Sequence, residues 1–185
     1  NDAQRLPPTV SHNEVLRLFQ QQRYEQAFAA ALHRFEWGDE GLHTPLGHMF
    51  RKGLGTQRDL SRARQHFELA AERGDANGQY QLAEMLRLGE GGGLDKKAAC
   101  RWYRQAQHLN DDAGYQAAMC ALDANRLSTA KRQLHKLATA GHAPASHRLV
   151  SLFRQYGSDD NQMSAAYEQA LNAWMRKQYK QAQLL

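Results

Sequence analysis

Apolar residues recur at spacings of three and four along most of this chain, which is the pattern of amphipathic α-helices. The clearest example runs from Asp59 to Gly74, where Asp59 is a suitable N-cap and Gly74 a suitable C-terminal stop. A shorter helix is predicted before it, in HTPLGHMFRKG, and Gly53 and Gly55 supply the turn between the two. The apolar face of the longer helix is formed by Leu60, Ala63, Phe67, Ala70 and Ala71. The pattern predicts an antiparallel helix pair.

This helix pair is repeated along the chain. Moving the sequence forward by 36 residues places Leu46 on Leu82 and brings identical or similar residue types into register at nine of ten positions, Gly74 and Asn110 being the exception. The positions Leu46, Met49, Gly53, Gly55, Asp59, Ala63, Phe67, Ala70, Gly74 and Asp75 meet Leu82, Met85, Gly89, Gly91, Asp95, Ala99, Tyr103, Ala106, Asn110 and Asp111. Internal repetition of this kind is typical of a solenoid, in which each unit buries its apolar face against its neighbours.

The repeat junctions give the domain organisation. They are predicted at Gly38-Asp39, Gly74-Asp75, Asn110-Asp111 and Gly141-His142. The predicted parts are an N-terminal extension (1–10), four helical-hairpin repeats within 11–157 (about 11–38, 39–74, 75–110 and 111–141, with the start of a further unit at 142–157) and a C-terminal capping helix (158–185). Because the stripe of that last helix is only moderately apolar, capping the stack is favoured over docking to a partner or a membrane surface.

The Gly53-x-Gly55 loop could be a phosphate-binding loop or a turn. A P-loop ends its glycine run with a Lys-Ser/Thr pair, whereas Thr56-Gln57-Arg58-Asp59 follows here. The second copy, GEGGGLD, places an acid where a phosphate would lie. The loop is therefore predicted to be a turn of the scaffold.

The stretch LGHMFRKGLGTQRDLSRARQHFELAAERGDANGQYQLAEML resembles the Sel1-like repeat, a longer-looped relative of the tetratricopeptide repeat. The second copy departs from the pattern with Ala83, Leu86 and Gln107, and the flanking units lack the long Gly-x-Gly loop. The resemblance implies an all-α fold, a right-handed superhelical solenoid of antiparallel helix pairs whose first helices line a concave surface. It also implies adaptor functions, typically in bacterial envelope assemblies, and it identifies the fold better than the function.

A concave surface of this kind is the expected binding site for a protein or peptide. By register with the repeat, its exposed positions are predicted to be Thr44, His48, Arg51, Lys52, Tyr80, Glu84, Arg87, Tyr115, Met119, His147, Ser151 and Arg154. Arg, Tyr and Met are side chains that recur at protein interfaces. The alternative is a solvated helix face that binds nothing.

The net charge of +5 and the isoelectric point near 9.4 keep a polyanion-binding module, for nucleic acid or acidic polysaccharide, as the alternative function. Nucleic acid is not the expected partner, since the cations are interleaved with 19 acidic residues and no basic and aromatic motif stands out. A small basic strip, Lys131, Arg132, His135 and Lys136, is expected to be solvated on the convex face.

The two cysteines, Cys100 and Cys120, lie about ten residues on either side of the Asn110-Asp111 junction. In an antiparallel helix pair they reach the same height, so a disulfide between repeats is geometrically possible, and two buried free thiols are the alternative. A disulfide would favour a periplasmic or other extracytoplasmic location over a cytoplasmic one. The chain starts at Asn1, so a leader could have been removed before it, and its longest apolar run, AFAAAL, predicts no transmembrane segment.

No catalytic group can be assembled from the sequence, so the protein is not expected to be an enzyme, and no cofactor is expected. The nine histidines form no metal-ligand pattern, and Ser146 and His147 are neighbours on one predicted helix with poor geometry for nucleophile and base. The acidic pairs Asp111-Asp112 and Asp159-Asp160 lie where helices should begin. The oligomeric state is left open.

Overall fold

The computed structural model of the chain describes residues 10–156, and the regular elements in that range are helical. They are α1 (His12–Gln20), α2 (Tyr24–Glu36), α3 (His43–Lys52), α4 (Leu60–Glu72), α5 (Ala76–Leu88), α6 (Lys96–Ala106), α7 (Asp111–Asp123), α8 (Leu127–Thr139) and α9 (Ala143–Tyr156). A single 3-10 turn, Glu40–Leu42, lies between α2 and α3. This part of the chain is all-α, as the periodicity predicts.

Side-chain caps begin most of the helices that the repeat pattern predicts. The carboxylate of Asp59 accepts a hydrogen bond from the backbone N–H of Arg62 at 2.9 Å, which confirms it as the N-cap of α4. The other side-chain caps are Ser11 on α1, Asp75 on α5, Asp95 on α6, Asn110 on α7 and His142 on α9. Asp111 and Asp112 lie in the first turn of α7, where acidic side chains interact favourably with the helix dipole.

The Gly-x-Gly loops are turns, as predicted. Gly53 ends α3 in the left-handed conformation (φ +71°), and Gly89 ends α5 in the same way (φ +72°). The backbone then returns so that the N–H of Asp59 donates to the carbonyl of Phe50 at 2.9 Å, which starts the next helix beside the end of the previous one.

The chain divides into two compact units, residues 1–105 and residues 106–185. In the first unit, α3 and α4 pack closely because Gly47 has no side chain. A β-carbon at Gly47 would lie 2.7 Å from the ring of Phe67, which is fully buried. The buried apolar side chains of this unit include Val15, Ala27, Leu42, Leu46, Met49, Phe50, Ala63, Phe67, Leu82 and Met85.

In the second unit, α7, α8 and α9 enclose a smaller core. Its buried members are Ala118, Leu134, Ala138, Ala145, Leu149, Leu152 and Phe153. Tyr115 and Met119 pack against this core from α7. The small residues of α7 let the helices approach closely, and Leu134, Leu149 and Leu152 are the largest fully buried side chains of this core.

The prediction of a solvated basic strip on α8 is wrong for one residue, Lys131. Lys131 is buried, with 5% of its surface exposed, and its Nζ lies 5.1 Å from the centroid of the Phe153 ring. Arg132 and Lys136 are exposed as expected, and His135 is half-buried. Lys131 is buried because it falls on the face of α8 that packs against α9.

Two sequence-based expectations stay predictions. The capping helix at 158–185 and most of the extension at 1–10 lie outside the described residues. The four repeat boundaries also stay as the sequence predicts them. Among the described helices, none is both long and apolar enough to cross a bilayer.

Candidate functional site on the helix-A surfaces

The first helix of each predicted pair is called helix A here, and in the first unit the candidate surface lies on helices α3 and α5. Arg51 joins the two. Its Nε donates to Glu90 Oε2 at 2.8 Å and its Nη1 to Gln81 Oε1 at 2.8 Å. The side chain is only 19% exposed. Arg51 therefore links neighbouring repeats and fixes the start of the second loop, rather than projecting freely toward a partner.

Glu84 and Arg87 of α5 form a second polar cluster with Tyr103 of α6. Arg87 Nη2 donates to Glu84 Oε2 at 2.7 Å, and Arg87 Nε donates to the Tyr103 hydroxyl at 3.1 Å. That hydroxyl in turn donates to Glu84 Oε1. The three groups satisfy one another, so a buried tyrosine ring holds two charged side chains at the surface.

The electrostatics of this cluster keep each group in one protonation state. Burial alone would raise the pKa of the Glu84 carboxyl, but the hydrogen bonds from Arg87 and Tyr103 outweigh it and hold the pKa below its usual value. Burial, together with the Glu84 carboxylate, raises the pKa of the Tyr103 hydroxyl. Near neutral pH, Glu84 is an anion and Tyr103 a donor, so the cluster is a fixed feature of the surface.

Thr44 and His48 of α3 are less accessible than the sequence predicts. Thr44 is buried rather than exposed, and its hydroxyl donates to Asp75 Oδ2 at 2.6 Å. The first turn of α3 faces the N-cap of α5, and this contact covers the side chain. His48 is half-buried, edge-on to Phe67 with ring centroids 5.2 Å apart. Burial, reinforced by Lys52 and Arg51, lowers the pKa of His48 to about 4, so it is neutral near pH 7.

Few side chains of the candidate surface on α3 and α5 remain accessible to solvent. Lys52 and Arg87 are exposed, and Tyr80 is half-buried with its ring centroid 6.0 Å from that of Tyr103. Leu88 is 49% exposed at the end of α5 and was missed by the sequence interpretation. The repeat register could have found it, because Leu88 is the counterpart of Lys52. The exposed helix ends of α3 and α5 therefore carry a cation, Lys52, and a large apolar side chain, Leu88, at the same repeat position.

The second unit carries its own helix-A surface, on α7 and α9. Tyr115 and Met119 are half-buried against the core, and the centroid of the Tyr115 ring lies 5.4 Å from that of the His142 ring. His147 and Arg154 are exposed and Ser151 is half-buried. The accessible set in this unit is therefore smaller than the sequence predicts.

The described residues offer little catalytic or metal-binding chemistry. Ser146 is buried and its hydroxyl donates to the carbonyl of His142 at 3.3 Å. His43 and His66 meet through their Nδ1 atoms at 3.1 Å between phenylalanine rings, which gives two nitrogens and no third ligand. Residues 10–156 hold no group of three or more His, Cys, Asp or Glu side chains placed to bind a metal ion.

Helix pairs joined by glycine turns and tied together by side chains such as Arg51 define the class of helical-repeat proteins. Residues 46–75 and 76–111 match the Sel1 repeat. These residues are Sel1 repeats, and the resemblance found in the sequence is confirmed. Sel1 repeats generally serve as protein-interaction scaffolds.

Solved structures agree with this fold. The chain is similar to a Sel1 repeat protein from Oxalobacter formigenes, with a TM-score of 0.73 and 21% identity, over 86% of this chain and 69% of that one. It is also similar to c5321, a protective antigen present in uropathogenic Escherichia coli strains, with a TM-score of 0.65 and 22% identity over 80% of this chain and 34% of that one. The predicted fold class, an all-α solenoid of helical-hairpin repeats, is confirmed.

Two curated relatives share part of the sequence. The exopolysaccharide production negative regulator of Rhizobium meliloti (strain 1021) is 40% identical over 73 residues, which are 37% of this chain and 27% of the relative. The protein of the same description from Rhizobium leguminosarum bv. viciae is 44% identical over 50 residues, 26% of this chain and 19% of the relative. This chain spans less than a third of the length of either relative.

Proposed function

We propose that this protein is a non-catalytic scaffold that binds a segment of a partner protein across the accessible side chains of α3 and α5. The observation that carries the proposal is Leu88, a large apolar side chain left 49% exposed directly after Arg87, at the position that the exposed Lys52 occupies one repeat earlier. Interfaces commonly place an apolar anchor at the centre and charged groups at the rim. The Arg51–Glu90 and Arg87–Glu84 pairs keep that surface in one shape before binding.

The partner is proposed to be an extended or helical segment with one apolar side chain to cover Leu88. An acid next to that side chain would meet Lys52, which has no ion-pair partner among the described residues. In the second unit, we propose a separate contact surface formed by His147, Ser151 and Arg154 of α9, since His147 and Arg154 are exposed.

The setting we propose is a bacterial envelope-associated assembly outside the cytoplasm. One finding and one prediction support it. The curated relatives are described as exopolysaccharide production negative regulators, and a disulfide between Cys100 and Cys120 would require an oxidising compartment.

Photo-crosslinking tests the proposal. A photoreactive amino acid is placed at Lys52 or Leu88, and as matched controls at Arg62 or Leu69, which are exposed on helix α4. The proposal expects one defined protein to be captured in cells from Lys52 and Leu88, and not from the controls. The same products from all four positions, or none from the first two, would contradict it.

A further inference from the structure

Helix α6 carries an exposed basic ridge that neither the repeat pattern nor the surface of α3 and α5 explains. Lys97, Arg101 and Arg104 follow one another at spacings of four and three, so they lie on one face, and all three side chains are exposed. Within residues 10–156 none of the three forms an ion pair. The hydrogen bond made by Arg104 Nε goes to the carbonyl of Cys100 on its own helix, at 3.4 Å.

The preceding repeat shows that this ridge is not a general consequence of the fold. At the equivalent positions, 36 residues earlier, α4 has Ser61, Gln65 and Glu68. The cations of α4 have acidic partners: Arg64 binds Glu68 at 3.0 Å, and Arg62 lies 3.4 Å from Asp59. Like charges one turn apart on a helix destabilise it. The ridge on α6 is thus a local feature that internal pairing does not offset.

We propose that the ridge formed by Lys97, Arg101 and Arg104 binds an acidic segment of a partner protein. The three cations span about 10 Å along the helix axis and succeed one another every turn. On a partner helix, carboxylates spaced three and four residues apart recur at the same interval as the three cations of the ridge. Each arginine can donate two parallel hydrogen bonds to one carboxylate. This site lies on a second helix of its repeat and goes beyond the function proposed for α3 and α5.

The aromatic residues of α6 favour a protein partner over a single-stranded nucleic acid. Proteins that bind single-stranded nucleic acid add exposed aromatic rings on which the bases stack. Tyr103 is buried under the Glu84–Arg87 pair, and Trp102 is half-buried beside the ridge rather than on it. The ridge therefore offers charge and directed hydrogen bonds without a stacking platform, which is what carboxylate recognition requires.

The test uses the full chain and a fluorescein-labelled peptide with glutamates at every third and fourth position, followed by fluorescence anisotropy. The variant K97Q/R101Q/R104Q removes the ridge. The matched control R126Q/R132Q/K136Q removes the same charge from exposed residues of the second unit. We expect the ridge variant to bind the peptide about tenfold more weakly than the wild type, and the control to bind within about twofold of it.

Other results would overturn the proposal. Equal losses in the two variants would mean that only net charge matters. Tighter binding of oligothymidylate or of polygalacturonate through the ridge would assign the site to another class of polymer. A wild-type chain that does not bind the peptide at low salt would also exclude it. Because the variant leaves Lys52 and Leu88 unchanged, crosslinking at those residues is expected to persist, which separates this site from the proposed function.

Discussion

Gly91 lies against the backbone carbonyl of Leu60, so that a β-carbon at Gly91 would be 2.2 Å from that oxygen. Gly55 and the carbonyl of Tyr24 are in the same relationship, also at 2.2 Å, and both glycines have a φ of +69°. Tyr24 and Leu60 are the first residues of α2 and α4. The second glycine of each Gly-x-Gly loop therefore packs against the start of the second helix in the preceding pair, which is where successive repeats meet.

The first prediction follows from that contact. Gly55→Ala and Gly91→Ala should each lower the free energy of unfolding by roughly 2–4 kcal/mol, because a β-carbon adds backbone overlap to the strain of a positive φ. Gly74→Ala is the matched control, since Gly74 has a φ of +85° but no atom within 4 Å of the added carbon. Its cost should be about 1 kcal/mol. Urea unfolding measures all three, and equal losses would show that the packing contact is unimportant.

The second prediction concerns the hydroxyl of Tyr103. Tyr103→Phe keeps the buried ring but removes the group that joins Glu84 to Arg87. We expect the free energy of unfolding to fall by about 1.5–3 kcal/mol, the usual range for a hydrogen bond to a charged group. A double-mutant cycle with Glu84→Gln should show coupling between the two sites, and additive losses would mean that the hydroxyl does not act through Glu84.

The third prediction is a dependence of stability on pH. Burial, together with His43 and Arg62, lowers the pKa of His66 to about 4, and His48 is lowered to about 4 as well. Because the unfolded chain then binds more protons than the folded one between about pH 6.5 and pH 4, stability must fall as the pH falls through that window. The thermal midpoint should decrease from pH 7 to pH 5, where the carboxylates are still ionised. His66→Gln should flatten this decrease, and an unchanged slope would contradict the assignment.

The fourth prediction is the disulfide between Cys100 and Cys120, which rests on their places in the repeat. Protein from an oxidising compartment should have a mass two hydrogens below that of the reduced chain, and should bind no thiol reagent after denaturation. Cys100→Ser is the control and should leave one reactive thiol. Two reactive thiols in the native protein would contradict the prediction and remove one of the supports for an extracytoplasmic location.

The helices, their caps and the glycine turns could be predicted because each depends on residues close in the sequence. Asp59 is an example, since its cap needs only the first turn of α4. Thr44 could not be predicted in the same way, because its burial depends on Asp75, which is 31 residues away. Repeat register places a residue on a helix face but does not reveal what its neighbour contributes.

Other side chains were predictable in principle but were assigned on charge alone. Lys131 lies four residues after Leu127 and three before Leu134, so it falls on the apolar stripe of α8. The ridge on α6 could not be separated from the other cations by sequence, because pairs such as Arg73–Glu40 join distant segments. A sequence shows which residues are charged, but only a structure shows which of them form ion pairs.

We propose that Leu88 anchors a partner on the surface of α3 and α5. The most direct measurement is calorimetric titration of the protein captured through Leu88 against the wild-type chain, Leu88→Asp and Leu69→Asp. We expect Leu88→Asp to weaken binding by about tenfold or more, which corresponds to 1.4 kcal/mol, and Leu69→Asp to stay within about twofold of the wild type. Equal affinities for the two variants would show that Leu88 is not the anchor.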